Sequence, residues 1–531
     1  MNSTTAAADD EPLQAARMHR LPLTAMAIAM FAVMAILGIW LRPLMPIDET
    51  RYMTVAWEMR NHGDWIVPHL NGEIYSHKPP LLFWLINLVW TFTGTSEFAA
   101  RLIGPAFAAG TIFATSRLAR ALYPDRPELV GYAAMALAGM LGFAFFGGLT
   151  MFDAMLAFAT VCGVLSLVHA ARAQDKPRGW LPWVFYGASI ALGVISKGPV
   201  ILVHLLPVAV GMPWWAGLSP RRTLTGIGIG IGTALVLVAL WLLPAIILGG
   251  AEYRDEILWK QSAGRMVESF AHLKPWWFFL PILPLLTWPW SWSIAFWREI
   301  RLRTPLVVWI VATVVIFSLI SGKQTHYLVP MLPAVAVLAA LGIASMAGLW
   351  APIAAAIPVV AGLYLLGLTF GLVKGEARDV LGPWPLDLVV ALALFGIAVI
   401  AVIWRGWRIA VLSPLFITVL NLIFLGNAWG VYDSGLIGGM LKTHDQAGVA
   451  TLDDGYAGEF GFAGRLDNPV QMLGSIAEGE SWLGAAPGRI LMGRMDRELP
   501  QAAPEQVINF RGRDYGFWTA PPEPSATGVA Q

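Results

Sequence analysis

The sequence has little cysteine, little charge and no pattern typical of a metal site. Cys162, the single cysteine, lies inside an apolar run, which excludes an intramolecular disulfide and argues against a catalytic thiol. Only 13% of the 531 residues are charged and no basic patch with interleaved aromatics is present, so nucleic acid is not a predicted partner. No His, Asp and Glu residues recur at metal-ligand spacing. No cofactor is therefore predicted, and a divalent metal stays open but unsupported.

The chain is instead rich in long apolar runs. Hydrophobic residues make up 57% of it and 25 residues are Trp, which indicates an all-α polytopic membrane protein. Residues 1–20 are polar and are predicted to form a disordered cytoplasmic N-terminus. Leu21–Leu41 is long enough to cross the hydrocarbon core and no cleavage site follows it, so we interpret it as an uncleaved first span. The predicted transmembrane domain covers residues 21–430.

Clusters of Lys and Arg predict the topology, because such residues collect in cytoplasmic turns. Two apolar runs separate each cluster from the next. The clusters contain Arg117, Arg120 and Arg126; Arg172, Lys176 and Arg178; Arg221 and Arg222; Arg298, Arg301 and Arg303; and Arg405 and Arg408. The turns predicted to be external are 150–153, 196–199, 250–275, 321–327 and 374–385. About thirteen crossings follow, with the N-terminus inside and the C-terminus outside.

One apolar run conflicts with this topology. Three runs, Pro80–Thr95, Ala99–Leu122 and Val130–Gly148, lie between two segments that are both predicted to be external. An even number of crossings is required, so one run does not cross. Pro80–Thr95 is the shortest and has the length of a re-entrant or interfacial segment. We therefore predict that it lies in the outer leaflet.

The character of the chain changes near residue 430. Residues 431–515 are rich in Gly and Asp, and short apolar runs at Gly448–Leu452 and Arg489–Met492 are typical of strands between turns. This segment is predicted to be a small extracytoplasmic α/β domain. Residues 516–531 end in a Pro-rich sequence and are predicted to be a disordered tail.

The predicted active site lies in the polar loop 42–80, directly after the first span. Charge at a membrane surface is costly unless it has a partner or a substrate. The loop supplies Asp48, Glu49, Arg51, Tyr75 and Lys78, and later external turns add Asp153, Lys197, Arg265, Lys323, His326 and Tyr327. Carboxylates facing several cations suit a reaction at a sugar carbon with a phosphate leaving group: the cations hold the phosphate, and a carboxylate orients or deprotonates the attacking group.

Several of these motifs resemble a known family when taken in order. They are PIDETRY, GDWIVPHLNGEIYSHKPPLLFW, TMFDAMLAF, SKGP, AGRMVESF, KPWWFFLP and SGKQTHYLVPMLP, which together span Leu21 to about Leu341. The set resembles the bacterial aminoarabinose transferases that modify lipid A and, more broadly, protein O-mannosyltransferases and other lipid-phosphate-dependent glycosyltransferases of the GT-C fold.

That resemblance implies a role for each matching residue. Asp48 and Glu49 match the family's catalytic acidic pair and Asp153 its second external acid, while Lys78 and Arg265 match cations that bind the lipid phosphate. From their external positions, Arg51, Lys197, Lys323, Tyr75 and Tyr327 are added to the predicted donor-phosphate site. The predicted enzyme is a glycosyltransferase of the bacterial inner membrane with a periplasmic active site. It would take a polyprenyl-phosphate-linked sugar and transfer it to lipid A, another glycolipid or a protein.

Structural interpretations of the same residues stay open. Asp48 and Asp153 are also compatible with helix N-caps, and Lys78 with a side chain that reaches the headgroups. The tyrosines suit an interfacial aromatic belt, and His77 and His326 are interpreted as surface residues. The sequence departs from the family at His77, where an acid is usual, and before Arg265. A transporter is a rival, although its charges would lie near the bilayer midplane rather than in external loops.

Overall fold

The structure is a computed structural model that describes residues 20–173, 175–257, 274–302, 304–345, 350–373 and 387–520. Seven described helices are long and apolar enough to cross a membrane: Pro22–Leu41, Glu97–Leu122, Phe152–Arg172, Pro220–Leu248, Thr325–Ile343, Pro352–Thr369 and Gly406–Leu425. Helices suit this setting because they satisfy all of their backbone hydrogen bonds internally. The predicted polytopic, mainly helical fold is thus observed.

Further apolar helices are shorter or broken. Leu129–Ala138 and Leu141–Gly147 meet at a bend of 65° and form an eighth span if they are counted as one. Helices of 10–17 residues are Leu81–Thr93, Leu181–Lys197, Ile201–Val210, Trp276–Leu286, Pro305–Leu319 and Asp387–Ile403. Short connecting helices are Met212–Trp215, Gly250–Asp255, Ile294–Arg298 and Asn427–Tyr432. Thirteen crossings therefore stay a prediction.

The run predicted to stay in the outer leaflet forms the helix Leu81–Thr93. Its 13 residues rise about 20 Å at 1.5 Å per residue, which is less than the hydrocarbon core of about 30 Å. Phe83 and Trp90 are buried on one side of this helix, whereas Leu88 and Phe92 are exposed on another. The helix ends at Gly94, whose φ of 69° favours glycine. Its length agrees with a segment that does not cross, which stays a prediction.

Three helices form the packing unit that carries much of the site. Phe152–Arg172 packs against both Ile103–Leu122 and Leu181–Lys197. The helix Ile103–Leu122 closely approaches the turn that precedes Phe152–Arg172. At Gly104 an added Cβ would lie 2.1 Å from the main-chain oxygen of Leu149. The first turn of Phe152–Arg172 is thereby held against the rest of the bundle.

A separate β-sheet forms after residue 448, within the segment predicted to be an α/β domain. Its five strands are β3 (Val449–Thr451), β4 (Gln471–Met472), β5 (Ile490–Arg494), β6 (Gln506–Phe510) and β7 (Arg513–Thr519). Their order across the sheet is β4-β3-β5-β7-β6. β3 pairs in parallel with β4 and β5, and β7 pairs antiparallel with β5 and β6. Helices Gly435–His444, Gly461–Gly464 and Ile476–Gly484 accompany it. Strands β3 and β5 coincide with the two runs predicted from sequence.

One predicted boundary needs correction. Strand β7 extends to Thr519, so residues 516–519 belong to the sheet and not to the predicted tail 516–531. The physical reason is the register with β5, in which Phe517 pairs with Met492 and Trp518 with Leu491. These aromatic side chains are buried, and the free energy gained by burying them favours the strand although a Pro-rich sequence follows directly. Residues 521–531 and the predicted N-terminal segment up to residue 19 lie outside the described residues.

The sheet domain docks on a helix from the predicted catalytic loop, Asp48–His62, which we call the loop helix. The Thr54 hydroxyl donates to the Gly458 carbonyl at 2.7 Å and accepts the Phe462 N–H at 2.9 Å. The Trp57 indole donates to the Leu466 carbonyl at 2.8 Å. Because one face of the loop helix is held in this way, the position of its N-terminal turn depends on the sheet domain.

Candidate active site

The loop helix presents two carboxylates at its N-terminal turn. Asp48 and Glu49 are its first residues, where the partial positive charge of the helix dipole favours anions. The helix ends at Gly63, which adopts a left-handed conformation and donates to the Met59 carbonyl. A hairpin of β1 (His69–Leu70) and β2 (Glu73–Ile74) follows and returns the chain toward Tyr75 and Lys78.

Glu49 is buried and has several partners. Arg42 donates to both carboxylate oxygens, at 2.5 Å and 3.2 Å, and the N–H groups of Met45 and Thr150 donate at 2.9 Å and 2.7 Å. Burial raises the pKa of Glu49, but Arg42 and Arg101 together with these hydrogen bonds outweigh burial and lower it from 4.5 to about 2. Glu49 therefore fastens the loop helix to Thr150, three residues before Asp153 in the sequence.

Asp48 faces a different environment and is only half-buried. The Tyr52 hydroxyl donates to its Oδ1 at 3.1 Å. The Tyr52 ring in turn packs edge-on against Phe152, with 4.8 Å between ring centroids. Burial and the adjacent Asp48 carboxylate raise the pKa of Tyr52 well above its ordinary value, so its hydroxyl stays a hydrogen-bond donor. Tyr52 thus holds one oxygen of Asp48 and leaves the carboxylate accessible.

Asp153 lies at the start of Phe152–Arg172 and is buried. Its Oδ1 pairs with the Lys197 ammonium at 2.6 Å, and Lys197 ends the neighbouring helix. The same ammonium lies 5.4 Å from the centre of the Tyr327 ring, a cation–π contact. His326 packs against Tyr327, with 5.1 Å between ring centroids. Turns that are distant in sequence therefore meet at Asp153.

Electrostatic interactions connect the two acids into one site. The charge of Lys78 interacts electrostatically with both Asp153 and His326. The Asp48 carboxylate also interacts electrostatically with His326. Tyr75 interacts with Tyr52 in the same way, and its ring packs 6.1 Å from Phe83. The predicted residues Asp48, Asp153, Lys78, Lys197, Tyr75 and Tyr327 are thus brought together, and we call them the acid–lysine cluster.

Three predicted residues that the structure describes, Glu49, Arg51 and Lys323, are not members of this cluster. The Lys323 ammonium is buried and donates to the main-chain oxygens of Ile320 and Lys274, and among the described residues none of its hydrogen bonds reaches a carboxylate. Arg51 lies on the loop helix and interacts with Glu459 of the sheet domain. Its Nε is buried and makes no hydrogen bond to any residue that the structure describes. Arg265 lies outside the described residues.

Sequence reasoning missed the residues that support the acids. Arg42 is the first residue of the predicted loop 42–80 and is not among the predicted site residues, yet it binds Glu49. Arg101 is buried and donates to the carbonyls of Arg42 and Pro43. The available signal was Arg101 itself, a charge placed close to a long apolar run, where charges are rare and usually functional. His326, interpreted as a surface residue, instead packs against Phe146 and Tyr327 beside the acid–lysine cluster.

A metal centre has no obvious ligand set in the described ranges, where no group of three or more His, Cys, Asp and Glu side chains could hold an ion. The chemistry available from the described side chains is that of carboxylates, ammonium groups and phenols. Such a set can orient a sugar, compensate the charge of a phosphate and accept a proton.

The fold resembles that of a solved membrane protein, and comparisons with known proteins also identify relatives in sequence. The family model described as dolichyl-phosphate-mannose-protein mannosyltransferase matches residues 23–254, less than half of the chain. An undecaprenyl phosphate-alpha-4-amino-4-deoxy-L-arabinose arabinosyl transferase from Pseudomonas aeruginosa (strain LESB58) is 32% identical over 316 residues, 57% of this chain and 55% of that one. The enzyme of this type from Sodalis glossinidius is 29% identical over 403 residues, with 70% of each chain covered.

A solved structure extends the likeness across nearly the whole fold. It is the crystal structure of ArnT from Cupriavidus metallidurans bound to undecaprenyl phosphate, with a TM-score of 0.71, 17% identity, and 96% of this chain and 99% of that chain covered. The resemblance to aminoarabinose transferases and protein mannosyltransferases, predicted from short motifs, is thereby confirmed. The chain spans about half the length of the first curated relatives it matches.

Proposed function

We propose that this protein is an integral membrane glycosyltransferase that moves one sugar from a polyprenyl-phosphate carrier to lipid A or a related envelope acceptor. The observation that carries the proposal is the convergence of Asp48 and Asp153 with Lys78 and Lys197. The relatives support the donor class, since their names specify an undecaprenyl phosphate-linked sugar.

The reaction is a single displacement at the anomeric carbon. An acceptor oxygen forms the new bond to that carbon, while the bond from the carbon to the carrier phosphate breaks and its electron pair leaves with the phosphate. A phosphate is a good leaving group, so cations beside it contribute more than a general acid would. Lys78 and Lys197 fill this role, and Asp153 holds the Lys197 ammonium in place.

The role of Asp48 depends on the acceptor. A phosphate acceptor is already anionic and needs no base, so Asp48 would orient the sugar through hydrogen bonds to its hydroxyls. A hydroxyl acceptor must lose a proton, and Asp48 would then act as general base. In both cases Tyr52 fixes the carboxylate by its hydrogen bond to Oδ1. Glu49, with both of its oxygens already bound, is assigned a positioning role.

The proposed location is the bacterial inner membrane, with the acid–lysine cluster and the sheet domain on the periplasmic side. The lysine and arginine distribution supports this orientation, because every cluster predicted to be cytoplasmic lies in turns that do not contribute to the site. The membrane lipids are then neighbours of the donor, and the prenyl chain enters from the bilayer.

Mass spectrometry of lipid A and of membrane glycoproteins, from cells with and without the gene, tests this function. Loss of a sugar-sized mass from lipid A in the deletion strain, restored by the wild-type gene and not by Asp48→Asn, is the expected result. Loss from glycoproteins alone would favour the second candidate, protein O-mannosyltransferase-like transfer, to which the family match over residues 23–254 points. No change in either fraction would favour a transporter.

A further inference from the structure

A polar pocket lies between the sheet domain and the start of the loop helix. Its volume is about 390 Å³. Its lining includes Ile47 from the loop, Asp453 and Glu459 from the segment after β3, Arg511 from the turn between β6 and β7, and Arg513 at the start of β7. Ile47 directly precedes Asp48 in the sequence. The pocket therefore reaches the residue next to Asp48, although the Asp48 carboxylate is not part of its lining.

The inner part of the pocket is a hydrogen-bonded frame of charged groups. Asp453 is buried, accepts a hydrogen bond from Tyr515 at 3.1 Å and lies 3.8 Å from Arg494. Arg494 also forms two hydrogen bonds to Asp496, at 3.0 Å and 2.6 Å. Because two carboxylates already engage Arg494 and leave one negative charge in excess, binding of an anion must come from other residues.

The outer part carries two further arginines, Arg511 and Arg513, which form no ion pair with any residue in the described part of the chain. Arg513 also interacts electrostatically with Asp496 of the frame. Their turn is held in place, since the Arg511 N–H donates to the Val431 carbonyl at 2.8 Å and the Gly512 N–H donates to Asn509 at 3.1 Å. Two arginines fixed at the rim of a polar pocket are suited to a phosphate.

The pocket is also connected to the loop helix. Glu459 lines the pocket and interacts electrostatically with Arg51, one turn along the loop helix from Asp48. Arg51 itself is not part of the pocket lining, and its Nε is buried without a hydrogen bond to any described residue. A ligand seated in the pocket would thus contact Glu459 and Ile47, the residue before Asp48.

We propose that this pocket is the acceptor site and that it takes the phosphorylated sugar headgroup of a glycolipid, an inference that rests on the proposed function. Arg511 and Arg513 bind a phosphate at the rim, while Glu459 accepts hydrogen bonds from sugar hydroxyls within. A protein hydroxyl would leave both rim arginines unused. In the transfer step the acceptor oxygen bonds to the anomeric carbon, and the carrier phosphate leaves with the electron pair.

Binding of a soluble probe tests the pocket without requiring turnover. The probe is a glucosamine disaccharide bisphosphate without acyl chains, titrated calorimetrically into the full chain in nanodiscs. We expect Arg511→Gly combined with Arg513→Ala to weaken binding by about 10- to 100-fold, the scale of lost charge-assisted contacts. Glycine is chosen at 511 because the φ there is 57°. Arg511→Lys should retain most of the affinity.

Two controls separate this site from general electrostatics. Arg497 is exposed in the same domain, lies outside the pocket lining and pairs with Asp454, so Arg497→Ala should bind the probe as the wild type does. The dephosphorylated disaccharide and inorganic phosphate should both bind more weakly than the full probe. Equal affinity of the double variant and the wild type would overturn the proposal, as would wild-type binding that does not require the phosphates.

Steady-state transfer distinguishes failure of the pocket from failure of the function. The double variant should raise the KM for a phosphorylated acceptor and leave kcat and the KM for donor nearly unchanged. If the wild type catalyses the transfer and the double variant has the same KM for the acceptor, the pocket is rejected as the acceptor site and the proposed function is kept. Probe binding that depends on Arg511 and Arg513, without any transfer to the phosphorylated acceptor, would keep the pocket and reject the proposed reaction.

Discussion

The Glu49 carboxylate accepts the main-chain N–H of Thr150 at 2.7 Å, although the two residues are 101 positions apart in the sequence. This bond joins the turn that carries Asp48 to the turn that carries Asp153. Arg42 compensates the charge of Glu49 on its other side, so that the carboxylate is buried without an unpaired charge. The geometry of the acid–lysine cluster therefore depends on a residue that need not touch the substrate.

Replacing Glu49 by Gln should destabilise the protein and remove one component of its pH dependence. The folded pKa of about 2 lies below the ordinary 4.5, so the stabilisation is fully present above about pH 5 and is lost as the pH falls toward 2. The difference corresponds to about 3 kcal/mol. Thermal unfolding in nanodiscs should show a lower Tm for Glu49→Gln at neutral pH, and a smaller fall in Tm on acidification than the wild type shows.

Matched behaviour of Glu49→Gln and the wild type at every pH would contradict this assignment. An exposed acid provides the control, because Glu128 pairs with Arg126 at the surface and Glu128→Gln should leave the unfolding curve unchanged.

Asp48→Asn should behave in the opposite way, with the fold kept and turnover lost. Asparagine fills the same space and still accepts the Tyr52 hydrogen bond, but it cannot act as a base or carry the negative charge. We expect transfer to slow by at least ~10²-fold with donor affinity retained. Purified protein in nanodiscs, assayed for transfer and for donor binding, provides both values. Asp175→Asn is the control, because Asp175 forms an exposed surface pair with Arg222. Wild-type turnover by Asp48→Asn would reject the proposed role of Asp48.

The sequence predicted the acids and lysines of the site because charge beside apolar runs is conspicuous in a membrane protein. It also predicted strands β3 and β5 correctly from short apolar runs between turns. Arg42 and Arg101 were not predicted as site residues, since only the folded chain brings Arg42 to Glu49 and Arg101 to the carbonyls next to it.

Roles within the site were harder to predict than membership of it. Asp48 and Glu49 are adjacent and chemically alike, so no local pattern distinguishes the accessible acid from the buried one. Successive residues on a helix point about 100° apart, which turns Glu49 toward Thr150 while Asp48 keeps partial exposure. Lys323 likewise looks equivalent to Lys197 in sequence, but it donates to main-chain carbonyls instead of a carboxylate.

Lys78 and Lys323 should therefore differ in a donor-binding experiment. Lys78 interacts electrostatically with Asp153 and His326. If it also holds the carrier phosphate as proposed, Lys78→Ala should weaken donor binding by about 10- to 100-fold, because a charge-assisted contact is lost. Lys323→Ala should leave donor affinity unchanged and lower the Tm, because two carbonyls lose their donor. The same binding assay on Arg265→Ala examines the predicted cation outside the described residues. Equal donor affinity in all variants would make these cations interfacial anchors only.

Placement of the helix Leu81–Thr93 provides the last prediction. The Glu49–Thr150 hydrogen bond brings the turns of Asp48 and Asp153 together, so an even number of crossings must lie between these two acids. The helix is too short to cross, begins after two prolines and follows Lys78, so it should lie in the outer leaflet beside the entry of the prenyl chain. Thr93 is exposed at its C-terminal end, whereas Ser96 accepts a hydrogen bond as the cap of the next helix. Thr93→Cys is therefore the better labelling site.

In a Cys162→Ala background, Thr93→Cys should react with an impermeant maleimide added to intact spheroplasts. Lys176→Cys, in a turn predicted to be cytoplasmic, should react only after the membrane is permeabilised. The pair of labels measures sidedness without relying on activity, since neither position belongs to the acid–lysine cluster. Labelling of Thr93→Cys only after permeabilisation would mean that the helix region faces the cytoplasm. The even number of crossings between the two acids, and with it the proposed lipid entry beside Lys78, would then be wrong.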